Sequence, residues 1–350
     1  MKEKIRRNQS SIIRSIALLF LPLFLLLVVI VGGRFEIFED ITEEPSVQEK
    51  ADQIVVGVSQ LGSESGWRTA NTESVQNAFT QKNGCFLIYH NARQKQENQL
   101  KSIRSFISQR VDYIIFSPVV ETGWDTVLQE AGKAGIPVIL MDRQVDVEDD
   151  SLYVTCVGSD FAREGEKAGR WLEAELIRRG SASEPVNIVI LLGTEGSSAR
   201  IGRTAGFVSV ASKHKNWNIL EQKDAEFTST KGREVMRGFL RKYDDIDVVI
   251  SQNDDMTFGA IEAIRESGRS VGVDGDMIIV SFDAVKNALK MVSEGVINVD
   301  IECNPNQGEY LLQVIDDLEA GRTVEKQYYV EENVFTQENV TEELLRERTY

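Results

Sequence analysis

The stretch Val138-Ile139-Leu140-Met141-Asp142-Arg143 decides the fold of this chain. Its four apolar residues follow Gly135-Ile136-Pro137, and the run is too short and too hydrophobic for a surface strand. Such a run is typical of a buried strand in a parallel sheet. Asp142 and Arg143 then fall at the carboxyl end of that strand, which is where open α/β sheets bind their ligands.

The Asp-Arg pair suggests the kind of ligand. A carboxylate only accepts hydrogen bonds and a guanidinium only donates them, so the pair suits a ligand whose groups do both, such as the hydroxyls of a sugar. The alternative is a self-neutralising ion pair that binds nothing. The dipeptide alone leaves both interpretations open.

The alternation of short apolar runs with amphipathic stretches continues on both sides of this strand. It predicts right-handed crossovers and parallel sheets. The pattern occurs as two successive series, and 350 residues exceed one typical core. We therefore predict an α/β fold with two doubly wound parallel-sheet lobes. The predicted strands are 54–58, 85–89, 113–116, 138–142 and 153–157, then 187–192, 218–221, 247–250, 277–282 and 296–301.

The amino terminus has a different character. Residues 15–33 are uncharged and rich in Leu, Ile, Val and Phe, and a basic cluster precedes them. The segment 1–33 is therefore either a signal peptide or an uncleaved membrane anchor with a hydrophobic helix. In both cases the positive flank stays in the cytoplasm and the rest lies outside. Residues 34–52 are acidic and polar, as in a linker.

Composition excludes several classes of function. The net charge is −16, and an acidic globule repels nucleic acid. Cysteines occur only at 85, 156 and 303, an odd number at wide spacing that predicts no disulfide framework. His90 and His214 are the only histidines, and they form no zinc constellation. We expect no metal and no cofactor.

Polar and aromatic side chains follow the predicted strands in both series. If the strand ends of both lobes face one cleft, these side chains converge there. Each also has a structural alternative, such as helix capping by Asn253 and Asp283 or core packing by Trp67. The candidates are Glu64, Trp67, Arg68, Ser117, Asp142 and Arg143 in the first series, and Arg203, Phe227, Asn253 and Asp283 in the second.

These residues suit reversible binding better than catalysis. An indole offers a flat face to the C–H side of a sugar ring, while carboxylates, amides and guanidiniums read its hydroxyls. The Gly-rich 193–198 segment matches no nucleotide-binding pattern. Asp142 and Asp283 are a formal acid–base pair for glycoside hydrolysis, but nearby guanidiniums would keep both ionised. We therefore predict that the chain is not an enzyme.

At this point the sequence resembles a known family, the type I periplasmic sugar-binding proteins of the ribose- and galactose-binding type. The likeness covers roughly 54–340 and is strongest to the galactofuranose-binding branch. The motifs that carry it are Ser59-Gln60-Leu61-Gly62-Ser63-Glu64-Ser65-Gly66-Trp67-Arg68, Gln94-Lys95-Gln96-Glu97-Asn98-Gln99, Ser117-Pro118-Val119-Val120-Glu121-Thr122-Gly123-Trp124, Asp142-Arg143, Asn253-Asp254-Asp255-Met256 and Ser281-Phe282-Asp283.

The resemblance implies that Trp67, Arg68, Asp142, Arg143, Arg203, Phe227, Asn253 and Asp283 contact the sugar, with Glu64 as a branch-specific candidate. One position departs from the family. Many relatives have Gln two residues before the proline at the hinge, whereas this chain has Cys303 before Pro305. A thiol is a weak hydrogen-bonding group, so Glu302 becomes a candidate replacement. Its strand parity, however, would ordinarily point it the other way.

The resemblance also implies a hinge at which the chain crosses three times between lobes, near Ser159, Cys303 and Glu331. It assigns 54–159 and 304–331 to lobe 1, and 160–303 and 332–345 to lobe 2. A sugar contacts both lobes only when they are closed, so binding would shift the hinge equilibrium toward closure.

The implied function is extracytoplasmic binding of a monosaccharide by a monomer, which delivers it to the permease of an ABC importer. A galactofuranose-like sugar is expected, with other pentoses or hexoses as alternatives. A membrane-tethered sugar sensor that signals to a histidine kinase is the second hypothesis. A repressor with the same fold would need a basic helix-turn-helix where residues 15–33 lie.

Overall fold

The computed structural model describes residues 53–350. The signal peptide or anchor predicted for 1–33 and the linker predicted for 34–52 lie outside the described residues. Within 53–350, none of the helices is both long enough and apolar enough to cross a membrane.

The first sheet has six strands in the order β11-β5-β4-β3-β1-β2, and every described pairing between them is parallel. Its strands are β1 Ile54–Gln60, β2 Cys85–Asn91, β3 Tyr113–Phe116, β4 Val138–Asp142, β5 Thr155–Gly158 and β11 Gln327–Tyr329. The helices between them are α1 Gly66–Ala78, α2 Gln96–Gln109 and α3 Asp125–Lys133, with single 3-10 turns at Gln81–Asn83 and Asp150–Leu152. We call this sheet and its helices lobe 1.

The second sheet also has six strands, in the order β12-β10-β9-β8-β6-β7, and only the edge strand β12 is antiparallel to its neighbour. Its strands are β6 Val186–Leu192, β7 Trp217–Asp224, β8 Val248–Ser251, β9 Ile278–Asp283, β10 Val299–Glu302 and β12 Val334–Thr336. The accompanying helices are α4 Phe161–Arg178, α5 Ser198–Ala211, α6 Ser229–Lys242, α7 Asp254–Glu266 and α8 Lys286–Ser293. Together they form lobe 2.

The chain passes between the two sheets three times: after β5, after β10 and after β11. After the second passage, helix α9 Gly308–Glu319 packs on α1 of lobe 1. After the third, β12 and the short helix α10 Glu342–Glu347 return to lobe 2. Because these passages adjoin one another in space, they form the hinge of the molecule.

Each sheet is buried on both faces, as the apolar strands predicted. In β3, Tyr113 and Ile115 belong to one apolar cluster while Ile114 and Phe116 belong to another. Successive strand residues point to opposite faces, so the two clusters lie on opposite sides of the sheet. The strands of lobe 2 divide in the same way between two clusters. Because both faces of each sheet are packed with apolar side chains, the polar residues lie in the loops at the carboxyl ends of the strands.

Several helices at these strand ends begin with a side-chain cap. Ser65, Asp160, Ser197, Thr228 and Asn253 each accept a hydrogen bond from the backbone N–H three residues on. Such caps satisfy an otherwise unpaired donor of the first helical turn. The caps fix the first residue of each helix. They therefore also fix the positions of the polar residues at the start of that helix.

Candidate functional site

The predicted residues converge on one cavity between the lobes. Its empty space is about 290 Å³, with the mouth included. All but two of the eleven candidates line it, the exceptions being Ser117 and Glu302. The lining residues are Glu64, Ser65, Trp67, Arg68, Asp142, Arg143, Phe161, Ala199, Arg203, Phe227, Asn253, Asp283 and Cys303.

Arg68 organises the lobe 1 wall of the cavity. Its Nη2 donates to Asp142 Oδ2 at 2.6 Å, and its Nε donates to Glu64 Oε1 at 3.0 Å. Burial alone would lower the pKa of Arg68, but the two carboxylates outweigh it and hold the pKa above its usual range. Ser117 does not line the cavity. Its hydroxyl donates to Asp142 Oδ2 at 2.9 Å and so fixes that carboxylate from behind.

Arg143 is held differently, because it makes no direct hydrogen bond to Asp142. The Arg143 Nε and Asp142 Oδ2 atoms form only a loose ion pair at 3.9 Å, whereas Asp142 bonds directly to Arg68. Asp142 is therefore shared between two guanidiniums and is not the exclusive partner of Arg143. Arg143 Nη1 donates to the carbonyl of Val119, and its buried Nε has no partner among the described residues. Burial and the neighbouring Arg68 lower the pKa of Arg143 to about 10.

Arg203 organises the lobe 2 wall. Its Nε donates to Glu164 Oε2 at 2.6 Å, its Nη2 donates to Asp283 Oδ1 at 3.3 Å, and its Nη1 donates to the carbonyl of Gln252. Burial nevertheless raises the pKa of Asp283 well above its usual range, despite Arg203. Desolvation is thus a larger effect on the Asp283 pKa than the nearby guanidinium, contrary to the expectation that guanidiniums would dominate.

A buried carboxyl pair supports the turn that presents Asp283. Asp300 Oδ1 accepts from the backbone N–H of Ala284, and Asp254 Oδ2 accepts from that of Val285. Burial raises the pKa of both carboxyls, that of Asp300 to about 7, and the charge of Asp300 further opposes the ionisation of Asp254. The pair therefore favours retaining a proton, and it lies directly beneath the site.

Three lining residues have an unusual backbone conformation. The φ angles are +62° at Asp142, +58° at Phe227 and +110° at Asp283. Residues other than glycine rarely adopt this region, and such strain concentrates at binding sites. The Phe227 ring lies over Gly193, where an added Cβ would come within 1.9 Å of it. The backbone itself thus aims these side chains into the cavity.

Asn253 combines its two predicted roles. Its Oδ1 caps α7 by accepting from the backbone N–H of Met256 at 3.0 Å, and its Nδ2 donates to the carbonyl of Phe227 at 3.2 Å. The side chain still lines the cavity. Capping therefore holds the amide in place at the site rather than removing it from the site.

Trp67 also combines both interpretations offered by the sequence. The side chain is 4% exposed and packs into the apolar cluster of lobe 2, although α1 belongs to lobe 1. Its Nε1 donates to the carbonyl of Cys303 at 2.5 Å. The same indole lines the cavity. Trp67 thus joins one lobe to the hinge and to the other lobe.

Glu302 does not belong to the cavity, so this candidate is corrected. Its Oε1 accepts from Arg348 at 2.6 Å and from the Tyr350 hydroxyl at 2.8 Å, and its Oε2 accepts from Asn333. Strand parity explains the result: Cys303 faces the cavity and its neighbour Glu302 faces away. Glu302 instead ties the carboxyl-terminal residues to β10.

Sequence reasoning did not identify Phe161 and Ala199 as site residues. Phe161 opens α4 directly after the first passage of the chain, and Ala199 lies in the first turn of α5. Both line the cavity, and the Phe161 ring lies 5.4 Å from the Arg203 guanidinium. The sequence signal that could have identified them is their position just after a helix N-cap, Asp160 or Ser197. Such a cap marks the start of a helix near the carboxyl ends of the strands.

The two lobes also contact each other directly across the cleft. The backbone N–H of Gly66 donates to Asp255 Oδ2 at 3.1 Å, and that of Gln144 donates to Ser198 Oγ at 3.0 Å. A third bond runs from the N–H of Glu121 to the carbonyl of Gly196 at 2.9 Å. Each bond joins lobe 1 to lobe 2. The structure is therefore in a closed arrangement.

Two matching α/β lobes that close over a small cavity lined by carboxylates, guanidiniums and aromatic rings define a hinged binding protein for a polyhydroxylated ligand. The chain belongs to the periplasmic binding protein domain family, whose profile matches residues 56–323. It is a sugar-binding protein of the ribose-binding type. The family consists of binding proteins, and membership implies a location outside the cytoplasm.

Three individual relatives are similar to this chain over most of their length. The chain is 38% identical over 302 residues to the galactofuranose-binding protein YtfQ of Escherichia coli (strain K12), covering 85% of this chain and 92% of that protein. A Mycobacterium smegmatis structure in complex with β-D-fucofuranose shares 44% identity at a TM-score of 0.78, covering 82% of this chain and 92% of the other. The periplasmic binding protein component of the arabinose ABC transporter from Shewanella sp. ANA-3, bound to α- and β-L-arabinofuranose, shares 42% identity at a TM-score of 0.78. The match covers 84% of this chain and 95% of the other.

Proposed function

We propose that this chain binds one monosaccharide in its furanose form and delivers it to an ABC importer. The proposed contacts are Glu64, Trp67, Arg68, Asp142, Arg143, Arg203, Phe227, Asn253 and Asp283, with Ser117 supporting Asp142. The lobe bounds proposed from the sequence, 54–159 with 304–331 and 160–303 with 332–345, place these residues on both sides of the cleft. Closure of the hinge then brings them onto one ligand.

One observation carries the proposal that the ligand is a polyol. Two buried polar atoms of the cavity wall have no partner among the described residues: Glu64 Oε2, which accepts, and Arg143 Nε, which donates. Leaving such an atom unpaired costs about 1–3 kcal/mol. A sugar hydroxyl offers both a donor and an acceptor, so a ring with several hydroxyls can satisfy both atoms.

The size of the cavity favours a single sugar ring. The cavity is small, because its empty space of about 290 Å³ already includes the open mouth. A disaccharide would need a longer cleft than the closed lobes leave. The furanose form is proposed because two relatives above 40% identity hold furanoses in their structures.

A thermal-shift and calorimetric panel tests the proposal. It contains arabinose, ribose and galactose, together with methyl galactofuranoside and methyl galactopyranoside. The two glycosides have locked rings and carry the same added methyl group. A difference between them therefore reports the effect of ring form alone. We expect stabilisation by the furanoside and not by the pyranoside. The reverse result would contradict the furanose proposal, and no response to any sugar would contradict the proposed function.

Delivery to an importer needs its own test. We propose that the chain acts as a monomer on the outer face of the cytoplasmic membrane, with residues 1–33 as export signal or anchor. Co-purification with a permease and stimulation of its ATPase by the sugar-loaded chain would support delivery. Stimulation of a histidine kinase instead would support the sensor hypothesis. Intact-mass measurement of the exported chain shows whether the amino terminus is cleaved.

A further inference from the structure

A second group of buried side chains lies in the hinge, beside the sugar cavity. Glu164 comes from α4, Cys303 follows β10, and Glu332 lies in the third passage of the chain. One possible ligand atom from each of the three lies within 4.8 Å of the other two. We call these three residues the hinge triad. They are far apart in sequence, so only the fold brings them together.

We infer that the hinge triad binds a thiophilic divalent cation of the zinc or cadmium type. A thiolate with two carboxylates is a donor set that such ions accept. Ligand distances of about 2.0–2.3 Å around a tetrahedral ion place donor atoms roughly 3.3–3.8 Å apart. The donor atoms, which lie within 4.8 Å of one another, therefore need to approach by about 1 Å when the ion binds.

An independent observation points to a missing partner at this place. Glu164 is fully buried, with a side-chain exposure of 0%. Its Oε2 accepts from Arg203 at 2.6 Å, but its Oε1 has no hydrogen-bond partner among the described residues. A buried carboxylate oxygen is rarely left in this state, because the unpaired atom keeps its full cost of desolvation. A cation between the three side chains would pair it.

The surroundings of the triad suit a bound cation. Glu332 Oε1 accepts from the Ser159 hydroxyl and from the backbone N–H of Asn304, so the carboxylate is already held toward Cys303. Ser159 Oγ lies 3.3 Å from Cys303 Sγ. Partners of this kind orient the ligands of metal sites. Glu332 is only partly buried, which gives an ion a route from solvent.

The charges around the triad also favour a cation. Two carboxylates and a thiolate carry three negative charges, and Arg203, which is shared between Glu164 and Asp283, neutralises only part of them. Lys167 lies nearby, but its Nζ donates to the backbone carbonyl of Glu332 and leaves the carboxylate available. The thiol of Cys303 gives its proton to solvent when the ion binds, because the thiolate is the ligand form.

Cadmium titration of the purified full-length chain tests the site, because a cadmium–thiolate bond gives an ultraviolet charge-transfer band. We expect the band in the wild-type chain, its loss in Cys303→Ser, and at least a tenfold weaker affinity in Glu332→Gln. Cys85→Ala and Cys156→Ala are matched controls, since both thiols are buried and lie outside the triad. In these two variants the band should persist.

Elemental analysis after dialysis against zinc gives a second readout. The expected result is one zinc per wild-type chain and a raised midpoint of thermal unfolding, with neither effect in Glu332→Gln. This second variant keeps the test decisive if Cys303→Ser does not fold. Absence of the charge-transfer band at millimolar cadmium, or its persistence in Cys303→Ser, would overturn the assignment. The test needs no sugar, so it is independent of the proposed function.

Discussion

The indole N–H of Trp67 donates to the backbone carbonyl of Cys303 at 2.5 Å, a bond that joins the first helix of lobe 1 to the second passage of the hinge. The two residues are 236 positions apart in sequence, and both line the cavity between the lobes. The bond therefore links an aromatic ring of the cavity wall to the hinge segment. Its removal should affect closure as well as contact with the ligand.

Substitution of Trp67 separates these two effects. Trp67→Phe keeps an aromatic face but loses the hydrogen bond, which should cost about 0.5–1.5 kcal/mol of sugar affinity. Trp67→Ala loses the ring as well and should cost roughly 1–3 kcal/mol. Calorimetric titration measures both. Equal affinities in Trp67→Phe and the wild type would show that the bond does not contribute to the closed state.

Asp142 is predicted to be indispensable for binding. Asp142→Ala removes the direct partner of Arg68 and a hydroxyl acceptor, and should raise the Kd by roughly a hundredfold, about 3 kcal/mol. We expect the chain to stay folded, because Arg68 retains Glu64 as a partner. Asp274→Ala is the control, since Asp274 is exposed and distant from the site. An unchanged Kd in Asp142→Ala would remove this residue from the binding site.

The contact between Gly66 and Asp255 is predicted to favour the closed form. Asp255→Ala removes the acceptor, so the free chain should become more open in small-angle X-ray scattering. Sugar affinity should fall several-fold, by about 0.5–1.5 kcal/mol, because closure then costs more. Asp274→Ala again serves as the control. A variant with unchanged scattering and affinity would show that this contact does not influence the hinge.

Glu302→Gln is predicted to affect stability and not binding. The variant weakens the buried pair with Arg348, which should lower the free energy of unfolding by about 1–3 kcal/mol. The Kd for sugar should stay within about twofold of the wild-type value, below 0.5 kcal/mol. Denaturant titration and calorimetry measure the two quantities. A large loss of affinity with intact stability would restore Glu302 to the site.

The carboxyl pair Asp254–Asp300 predicts a pH dependence of stability. Because the folded pKa is raised, the folded chain binds the proton more tightly than the unfolded chain. For Asp300 this contribution is complete below the unfolded pKa of about 4 and is lost as the pH rises through about 7. Asp300→Asn keeps the acceptor for Ala284 and cannot ionise, so its stability should fall less across that window in denaturant titrations. Parallel pH profiles would contradict this origin.

The sequence predicted the sheets well because their strands are apolar on both faces. The predicted strand 138–142 coincides with β4, and 113–116 coincides with β3. Polar strand ends were harder to place: 218–221 is observed as the longer β7, Trp217–Asp224, whose outer half carries little apolar signal. Helix and strand boundaries depend on caps and turns rather than on periodicity.

The sequence suggested which residues line the cavity, but not how they connect to one another. Position after a strand made Arg68 and Asp142 candidates, while an ion pair between Asp142 and its neighbour Arg143 was left open. Which guanidinium reaches the carboxylate depends on the left-handed backbone at Asp142, and no local pattern encodes that conformation. The same holds for Cys303: the sequence marked it as a departure from the family, whereas only the fold places it beside Glu164 and Glu332.

The positive φ angles at Asp142, Phe227 and Asp283 limit how the ligand preference of this protein can be re-engineered. Asn and Gly tolerate that backbone conformation, whereas β-branched side chains are strained in it. Substitutions at these three positions therefore change the backbone strain together with the contact to the ligand. Ala199 and Phe161 border the same cavity on helical backbone, so conservative apolar substitutions there change the cavity wall without that strain.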